Sequence, residues 1–577
     1  MTREANLMKI VQWQYVNSFL ITMFLTGCIT PVWAAPAVTF PGSSDVPTAG
    51  STMKQVEKQM EIQRSKPAVK LEENKEEQKH YDAKDEVRIK VTRFRVTGQD
   101  VLPREDVDAI LDSYKKKELN FSELMQISDK LTALFKKKGY MLAKVYLPEQ
   151  NLDDGTVEYI VVIGRLGNIK VENRSGLSEA AINRQTSALK TGEYVRRQNV
   201  ERAVWLLNDL SGADARVLFS PGKEEGTTDI LIQVDPQKGK HGSVFADNYG
   251  NRYTGYYELG MTYDIWNPAH QGDQLSLAVN TTGRKERYGS FNYRIPLWKD
   301  GFTMDAGYSY LGYHLGKEYD MLYARGTARV YHVGMDYAFE RSSRQNVYGG
   351  IRYEYSRLRD EYRAFDLDYA DKHSHAAIFS LYGDKSASDG VTSWRFDWKW
   401  GNLTFNNNEI PDELDTKGTY SKANVTVMRR QDLTNRLYLN LVGSAQLASR
   451  NLDSSEKMSL GGINGVRAYP RSEGSGDNGY LLRAEMRYLM PVKRYDQMLQ
   501  AAVYVDHGGI KINRTGHSYA GYDNFRRLQG VGVGLIWTRK DDWWVRADYA
   551  WRLGAEPATS DTHHSNGQFW LQAGAYF

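Results

Sequence analysis

The sequence predicts two small α+β units in series, followed by an all-β transmembrane barrel of about sixteen antiparallel strands. Three observations carry this fold class. The 577 residues are polar on average, with a mean hydropathy of −0.59, yet they include 38 Tyr, 13 Trp, 18 Phe and 50 Gly. Such a composition belongs to many short strands. Between residues 88 and 236 one order of strand, two helices and two strands occurs twice, an internal repeat. From about residue 240 to the end, apolar and polar residues alternate with period two.

Arg3 and Lys9 precede the apolar stretch VNSFLITMFLTGCITPVWA, whose Val32-Trp33-Ala34 suits signal peptidase. Residues 1–34 therefore read as an export signal. Leu25-Thr26-Gly27-Cys28 also has the pattern of a lipoprotein signal, so cleavage before Ala35 and lipidation at Cys28 both stay open. Cys28 is the one cysteine, which leaves the rest of the chain without a disulfide or a thiolate metal site. No later stretch has the ~20 apolar residues of a spanning helix, so the mature chain is either soluble or a barrel. A net charge of +4 with no concentrated basic patch makes no case for nucleic acid.

Residues 35–86 start irregular and rich in Pro, Gly, Ser and Thr. A helix is expected over 51–65, capped by Ser51 or Thr52, with a sparse apolar face of Val56, Met60 and Ile62. The nearly all-charged 66–86 reads as a solvated linker. The first α+β unit, 87–165, opens on the strand VRIKVTRFRVTG. A helix follows near 103–111 and another over 121–138, where Leu124, Ile127, Leu131 and Leu134 keep helical spacing. MLAKVYLP and TVEYIVVIG are its closing strands. The second unit, 166–238, repeats the order with GNIKVEN, helices over 178–190 and 196–210, then ARVLFSP and TTDILIQVDP.

Residues 239–577 are the barrel. QLSLAVN, WRFDWKW, YLLRAEMRYLMP and WVRADYAWRL each alternate apolar or aromatic residues with polar ones. A half-exposed soluble sheet alternates too. The recurrence across the whole region and the aromatic residues near strand ends favour a membrane barrel. The chain ends in QFWLQAGAYF, and a terminal aromatic, Phe577, on a last alternating strand resembles an outer-membrane insertion signal. In hydrocarbon each unpaired backbone group costs several kcal/mol, so a sheet there must close. At roughly 20 residues per strand with its turn, the region makes about sixteen strands.

No motif for a nucleotide, a cofactor or an enzyme is present: G-x-x-x-x-G-K-[ST], G-x-S-x-G and H-E-x-x-H are all missing. His563-His564 in DTHHSNG reads as an external loop, not a metal site. GGINGVRAYP, 461–470, places a lone Arg467 in a glycine-rich loop. On the residues alone, Arg467 is a loop arginine and Asp506 a lumenal carboxylate, with nothing to join them.

Several stretches resemble the Omp85 superfamily and, within it, the two-partner secretion transporters (TpsB) of the ShlB/FhaC/HecB group. GYMLAKVYLPEQNLDDGTVEYIVVIGRLGNIKV, 139–171, is similar to the end of that family's first POTRA domain, with Ile163 where a Glu is common. DNYGNRYTG, with Asp247, Asn248 and Gly250, resembles its first barrel strand, and NPAHQGDQLSL, 267–277, the next turn and strand. Val466, Arg467, Ala468, Tyr469 and Pro470 resemble its loop motif, with Ala468 in place of the usual Gly. Tyr504, Asp506 and Gly508 in YVDHG resemble its aromatic-x-Asp-x-Gly strand motif.

The resemblance implies that the arginine loop folds into the barrel lumen and that Arg467 pairs with Asp506. If the family glycine takes a positive φ, Ala468 is strained. The resemblance also implies that the helix over 51–65 plugs the pore. It implies an outer-membrane transporter of a diderm bacterium, with POTRA domains in the periplasm, that secretes an unfolded TpsA-type haemolysin, haemagglutinin or adhesin. Outer-membrane lipid and the barrel assembly machinery are the other partners implied, with no cofactor. The alternative is an Omp85-type insertase or assembly factor, disfavoured by two POTRA units rather than a longer series.

Overall fold

The computed structural model describes residues 46–63, 88–407, 412–492, 496–515, 523–561 and 566–577. The export signal, Cys28, the linker over 66–86, the Ile62 side chain and His563-His564 lie outside the described residues. Among those described are helices α1 (Ala49–Gln63), α2 (Arg104–Leu111), α3 (Phe121–Lys137), α4 (Glu179–Gln185) and α5 (Arg197–Asp209).

In the first α+β unit, Thr156–Ile163 is the central strand, parallel to Arg93–Thr97 and antiparallel to Ala143–Tyr146. The α3 start is fixed by a capping box: Glu123 N donates to Asn120 Oδ1, and Asn120 N to Glu123 Oε2, both at 2.8 Å. Leu124, Ile127, Leu131 and Phe135 face the sheet, with Leu134 half-buried beside them. The second unit repeats the topology, with Thr227–Pro236 parallel to Arg165–Asn173 and antiparallel to Ala213–Pro221.

Three local expectations change here. The strand expected over 87–98 is broken at Val91 and Thr92. Ile89–Lys90 pairs with Glu118–Leu119, and the chain then switches partner, Thr92 N donating to Gly155 O at 2.8 Å. The helix expected over 178–190 stops at Gln185, where Thr186 bonds back to Ile182 O and Gln185 Oε1 accepts from Gly301 N of the barrel. The first helix starts at Ala49, earlier than Ser51 or Thr52 would cap it. Thr48 is its cap: Ser51 N donates to Thr48 Oγ1 at 3.2 Å and Thr48 N to Ser51 Oγ at 2.9 Å.

The barrel closes through sixteen antiparallel strands. They are β1 (Gly242–Asp247), β2 (Glu258–Trp266), β3 (Gln274–Thr281), β4 (Glu286–Pro296), β5 (Phe302–His314), β6 (Ala324–Arg341), β7 (Gln345–Tyr362) and β8 (Leu367–Ala387). β9 (Gly390–Phe405), β10 (Gly418–Asp432), β11 (Leu437–Ala448), β12 (Asn478–Met490), β13 (Gln497–Lys511), β14 (Phe525–Arg539), β15 (Trp543–Arg552) and β16 (Gly567–Tyr576) complete it. Dyad alternation sends Leu277, Val279, Phe396, Trp398, Leu482, Met486 and Trp551 outward as exposed residues, while Glu485, Asp506 and Asp548 are buried inside. The strands of β6 to β8 run past the 9–11 residues a bilayer needs and extend beyond it.

β16 and β1 close the barrel over a short seam, Gln572–Tyr576 against Ser243–Asp247. Phe577 adds to it, donating from its N to Gly242 O at 3.0 Å and accepting from His241 N at 2.9 Å. The second α+β unit sits on one rim. Asp209 on α5 takes Arg341 in two bonds of 2.8 and 2.7 Å, and Arg184 donates to Pro296 O at 2.7 Å.

Candidate functional site

α1 and the long loop 449–477 between β11 and β12 lie in the lumen. The loop doubles back on itself, with Val466 N donating to Leu460 O at 2.7 Å. Two glycines make the fold-back possible. A Cβ on Gly465 would lie 1.8 Å from Leu460 O, and one on Gly461 2.3 Å from Pro470 O. Val466, Ala468 and Tyr469 are buried against Tyr504, Ile510, Leu528 and Ala550 of the wall.

Arg467, at the tip, is fully buried. Its Nε and Nη2 donate to Asp506 Oδ2 and Oδ1, both at 2.8 Å, and its backbone N donates to Oδ2 at 3.1 Å. Nη1 donates to Glu485 and lies 3.9 Å from Asp548. The guanidinium lies over the Tyr504 ring, 3.3 Å from its centre, and Trp570 Nε1 donates to Arg467 O at 2.7 Å. Burial opposes the charge, yet Asp506 and Glu485 hold the guanidinium above the usual arginine range.

Room for this stack comes from β14. A Cβ on Gly532 would lie 2.4 Å from the Tyr504 ring, and one on Gly530 2.5 Å from Ala468 Cβ. The inward glycines of LQGVGVGL carry this information at period two, a signal of close approach distinct from the loop and strand motifs. Glu485 is one of the alternating charges of YLLRAEMRYLMP, and period two alone does not single it out.

Ala468 has no positive φ, so the strain expected of it is absent. Small size against Gly530 is what the position requires. Ala468→Leu is therefore expected to lift the loop from the wall, while Ala468→Gly leaves it seated. Limited proteolysis of the folded barrel, read for cuts within 449–477, compares the two variants and checks this.

Tyr469 donates from its hydroxyl to Glu556 O at 3.0 Å. Glu473 pins the loop to residues 559–560, accepting from Thr559 N, Ser560 N and Arg526. Burial opposes its charge too, but Arg526 and the Ser560 and Thr559 donors hold it below the usual carboxylate range. Gly508 sits where a Cβ would lie 2.9 Å from Leu460 Cδ2.

DNYGNRYTG differs from its expected place in the first strand. β1 ends at Asp247, and the residues after it turn, because Asn251 Oδ1 accepts from both Tyr253 N and Thr254 N, and a Cβ on Gly250 would strike Gly255 O at 2.0 Å. Asn248 still bonds the β16 edge at Phe569 O and Leu571 N.

α1 lies beside this loop. Ala49, Met53, Val56 and Met60 are buried against the inner faces of β5, β6 and β7. Lys54 donates to Lys457 O at 2.8 Å, and Gln55 Oε1 accepts from Arg471 and Ser472, each at 3.0 Å. Gln59 donates to Glu258 and Asp247 beside the seam, at 2.9 and 3.2 Å. Arg471 also binds Glu258, so helix, loop and β2 share one polar junction.

A family profile described as haemolysin secretion/activation protein ShlB/FhaC/HecB matches residues 226–536. The chain belongs to this family. A profile for the ShlB-type POTRA domain matches residues 89–164, the first α+β unit. The heme/hemopexin transporter protein HuxB of Haemophilus influenzae (strain 86-028NP) is 26% identical, over 91% of this chain and 94% of its own. The outer membrane transporter CdiB of Escherichia coli O6:K15:H31 is 22% identical, over 78% and 76%.

Solved structures of CdiB from Escherichia coli and from Acinetobacter baumannii share the fold. Their TM-scores are 0.72 and 0.65, at 18% and 16% identity. They cover 94% and 91% of this chain, and 100% and 97% of their own. The ShlB/FhaC/HecB chain is thus an outer-membrane β-barrel transporter of the TpsB type and not an enzyme. Its family serves the secretion of TpsA-type exoproteins.

Proposed function

We propose that this ShlB-type transporter captures an unfolded haemolysin, haemagglutinin or adhesin through its POTRA units and passes it through the barrel without nucleotide energy. In this reading residues 35–86 supply the plug helix and linker, 87–165 and 166–238 the two POTRA units, and 239–577 the pore. Outer-membrane lipid surrounds the apolar band, and the barrel assembly machinery reads the last strand ending in Phe577.

The observation that carries this reading is an unpaired strand edge on each α+β unit at one mouth of a closed barrel. Ala213–Pro221 is an edge strand with Leu218 and Phe219 exposed, and Ala143–Tyr146 is an edge strand with Tyr146 exposed. An extended client adds to such edges by backbone pairing, with side chains lodged beside them. Folding outside the cell supplies the direction of movement.

Removing the gene should leave one large exoprotein in the periplasm and absent from the medium, and restoring the gene should return it. An unchanged set of secreted proteins would remove the reading. Depletion of many outer-membrane proteins instead would favour the insertase.

A further inference from the structure

Outside the barrel, strands β4 to β8 carry two adjoining rows of side chains that the transport pathway does not use. The first row is aromatic: Phe291, Tyr308, Tyr331, Tyr355 and His375 are cross-strand partners in turn. Their ring centres lie 6.0, 4.8, 6.1 and 4.8 Å apart. The next row is cationic: Arg329 on β6 directly opposes Arg357 on β7, which directly opposes His373 on β8.

Like charges placed opposite each other across strands repel. One carboxylate, Asp371, lies 3.3 Å from Arg357. Arg329 is exposed and makes no hydrogen bond or ion pair among the described residues. Farther along the strands the acids are already engaged: Glu361 takes Arg325 and Arg363, and Asp368 takes Arg359. Among the described residues the row therefore holds more positive charge than is neutralised.

Its height says what faces it. From Arg329, β6 (Ala324–Arg341) continues to its end at Arg341, the residue clamped to Asp209 of the second POTRA unit. Those residues rise about 3.3 Å each along strands tilted about 40°, which puts Arg329 about 30 Å above the POTRA-bearing rim. The apolar band of such a barrel is about 25 Å tall and ends in an aromatic girdle. The arginine row thus stands just past the girdle, at the headgroup level of the outer leaflet.

We propose that Arg329, Arg357 and His373 form a binding site for the phosphate groups of a lipopolysaccharide-type glycolipid in the outer leaflet. The guanidinium forks match phosphate oxygens, and the tyrosine row receives the sugar–acyl boundary. A phosphate between Arg329 and Arg357 turns their repulsion into attraction.

The test uses full-length protein in detergent with purified lipid A, with and without its phosphates, followed by native mass spectrometry. The parent should retain phosphorylated lipid A and bind the dephosphorylated form at least about tenfold more weakly, a difference of about 1.4 kcal/mol. Arg329→Gln combined with Arg357→Gln should lose that preference, and the paired Lys variants should keep part of it. Heat-modifiable gel mobility identifies the folded barrel in every sample. Equal binding of the two lipids by the parent overturns the site, because acyl chains alone then account for it. Undiminished preference in the folded Gln variant overturns the assignment to these residues. Export of the client, read in the same strains, is expected to continue in the Gln variant, so failure of this site and failure of the transport reading are told apart.

Discussion

Arg467→Ala is expected to abolish export while the barrel still inserts and folds. Among the described residues the arginine alone links the loop tip to Asp506, through three hydrogen bonds. Two of these are side-chain bonds to a carboxylate that is itself fully enclosed. Each hydrogen bond to a charged group is worth about 1.5–3 kcal/mol, so losing the guanidinium fork takes several kcal/mol from the docking of the loop.

That cost falls on the loop rather than on the wall. Arg483 lies 3.5 Å from Asp506, Arg487 binds Glu485, and Arg546 binds Asp548 at 2.6 Å. These strand-borne cations keep the wall neutral when Arg467 is gone, so the closed sheet persists. Arg467→Lys should recover only part of export, since an ammonium makes one directed contact where the guanidinium makes a fork. Asp506→Asn should be milder than Arg467→Ala, because Glu485 and Asp548 still hold the arginine. Client in medium and periplasm, with heat-modifiable mobility for the barrel, measures all three. Full export by a folded Arg467→Ala protein would end the assigned role.

The barrel is legible because lipid imposes a period of two on almost every strand, and β12 and β15 alternate residue by residue as YLLRAEMRYLMP and WVRADYAWRL do. The α+β repeat is legible through a different period, that of a helix packed on a sheet, as α3 shows with a capping box and four apolar residues at helical spacing. What the pattern does not carry is tertiary choice. Val91 and Thr92 look like strand interior, and only the competing edges at Lys117 and Gly155 break them. Gln185 looks like helix interior, and only docking on Gly301 ends α4 there. At the candidate site the loop motif gives Arg467, and the strand motif gives Tyr504 and Asp506, by resemblance. Glu485 and Trp570 enter through the register of β12 and β16, which no local spacing states. The inward glycines Gly530 and Gly532 were readable and mark where a backbone must leave room.

Deleting Ala49–Gln63 is expected to raise single-channel conductance in planar bilayers several-fold. Barrels of sixteen strands leave an aqueous channel when nothing fills them, and a helix with its side chains occupies a cylinder about 10–12 Å across. The helix is held on two sides of different character. Ala49, Met53, Val56 and Met60 give it an apolar stripe against β5 to β7. The opposite side is polar and is shared with the loop and the seam through Lys54, Gln55 and Gln59. Polar contacts exchange with water at little net cost, each worth only about 0.5–1.5 kcal/mol, so the stripe decides whether the helix stays. Val56→Asp should then act almost as the deletion does, because an unpaired carboxylate there costs several kcal/mol on docking and nothing in solution. Gln55→Ala should open the channel only intermittently, since it removes the two bonds from Arg471 and Ser472 and leaves the stripe. Conductance unchanged by the deletion would mean that loop 449–477 alone closes the pore, and α1 would then have no part in gating.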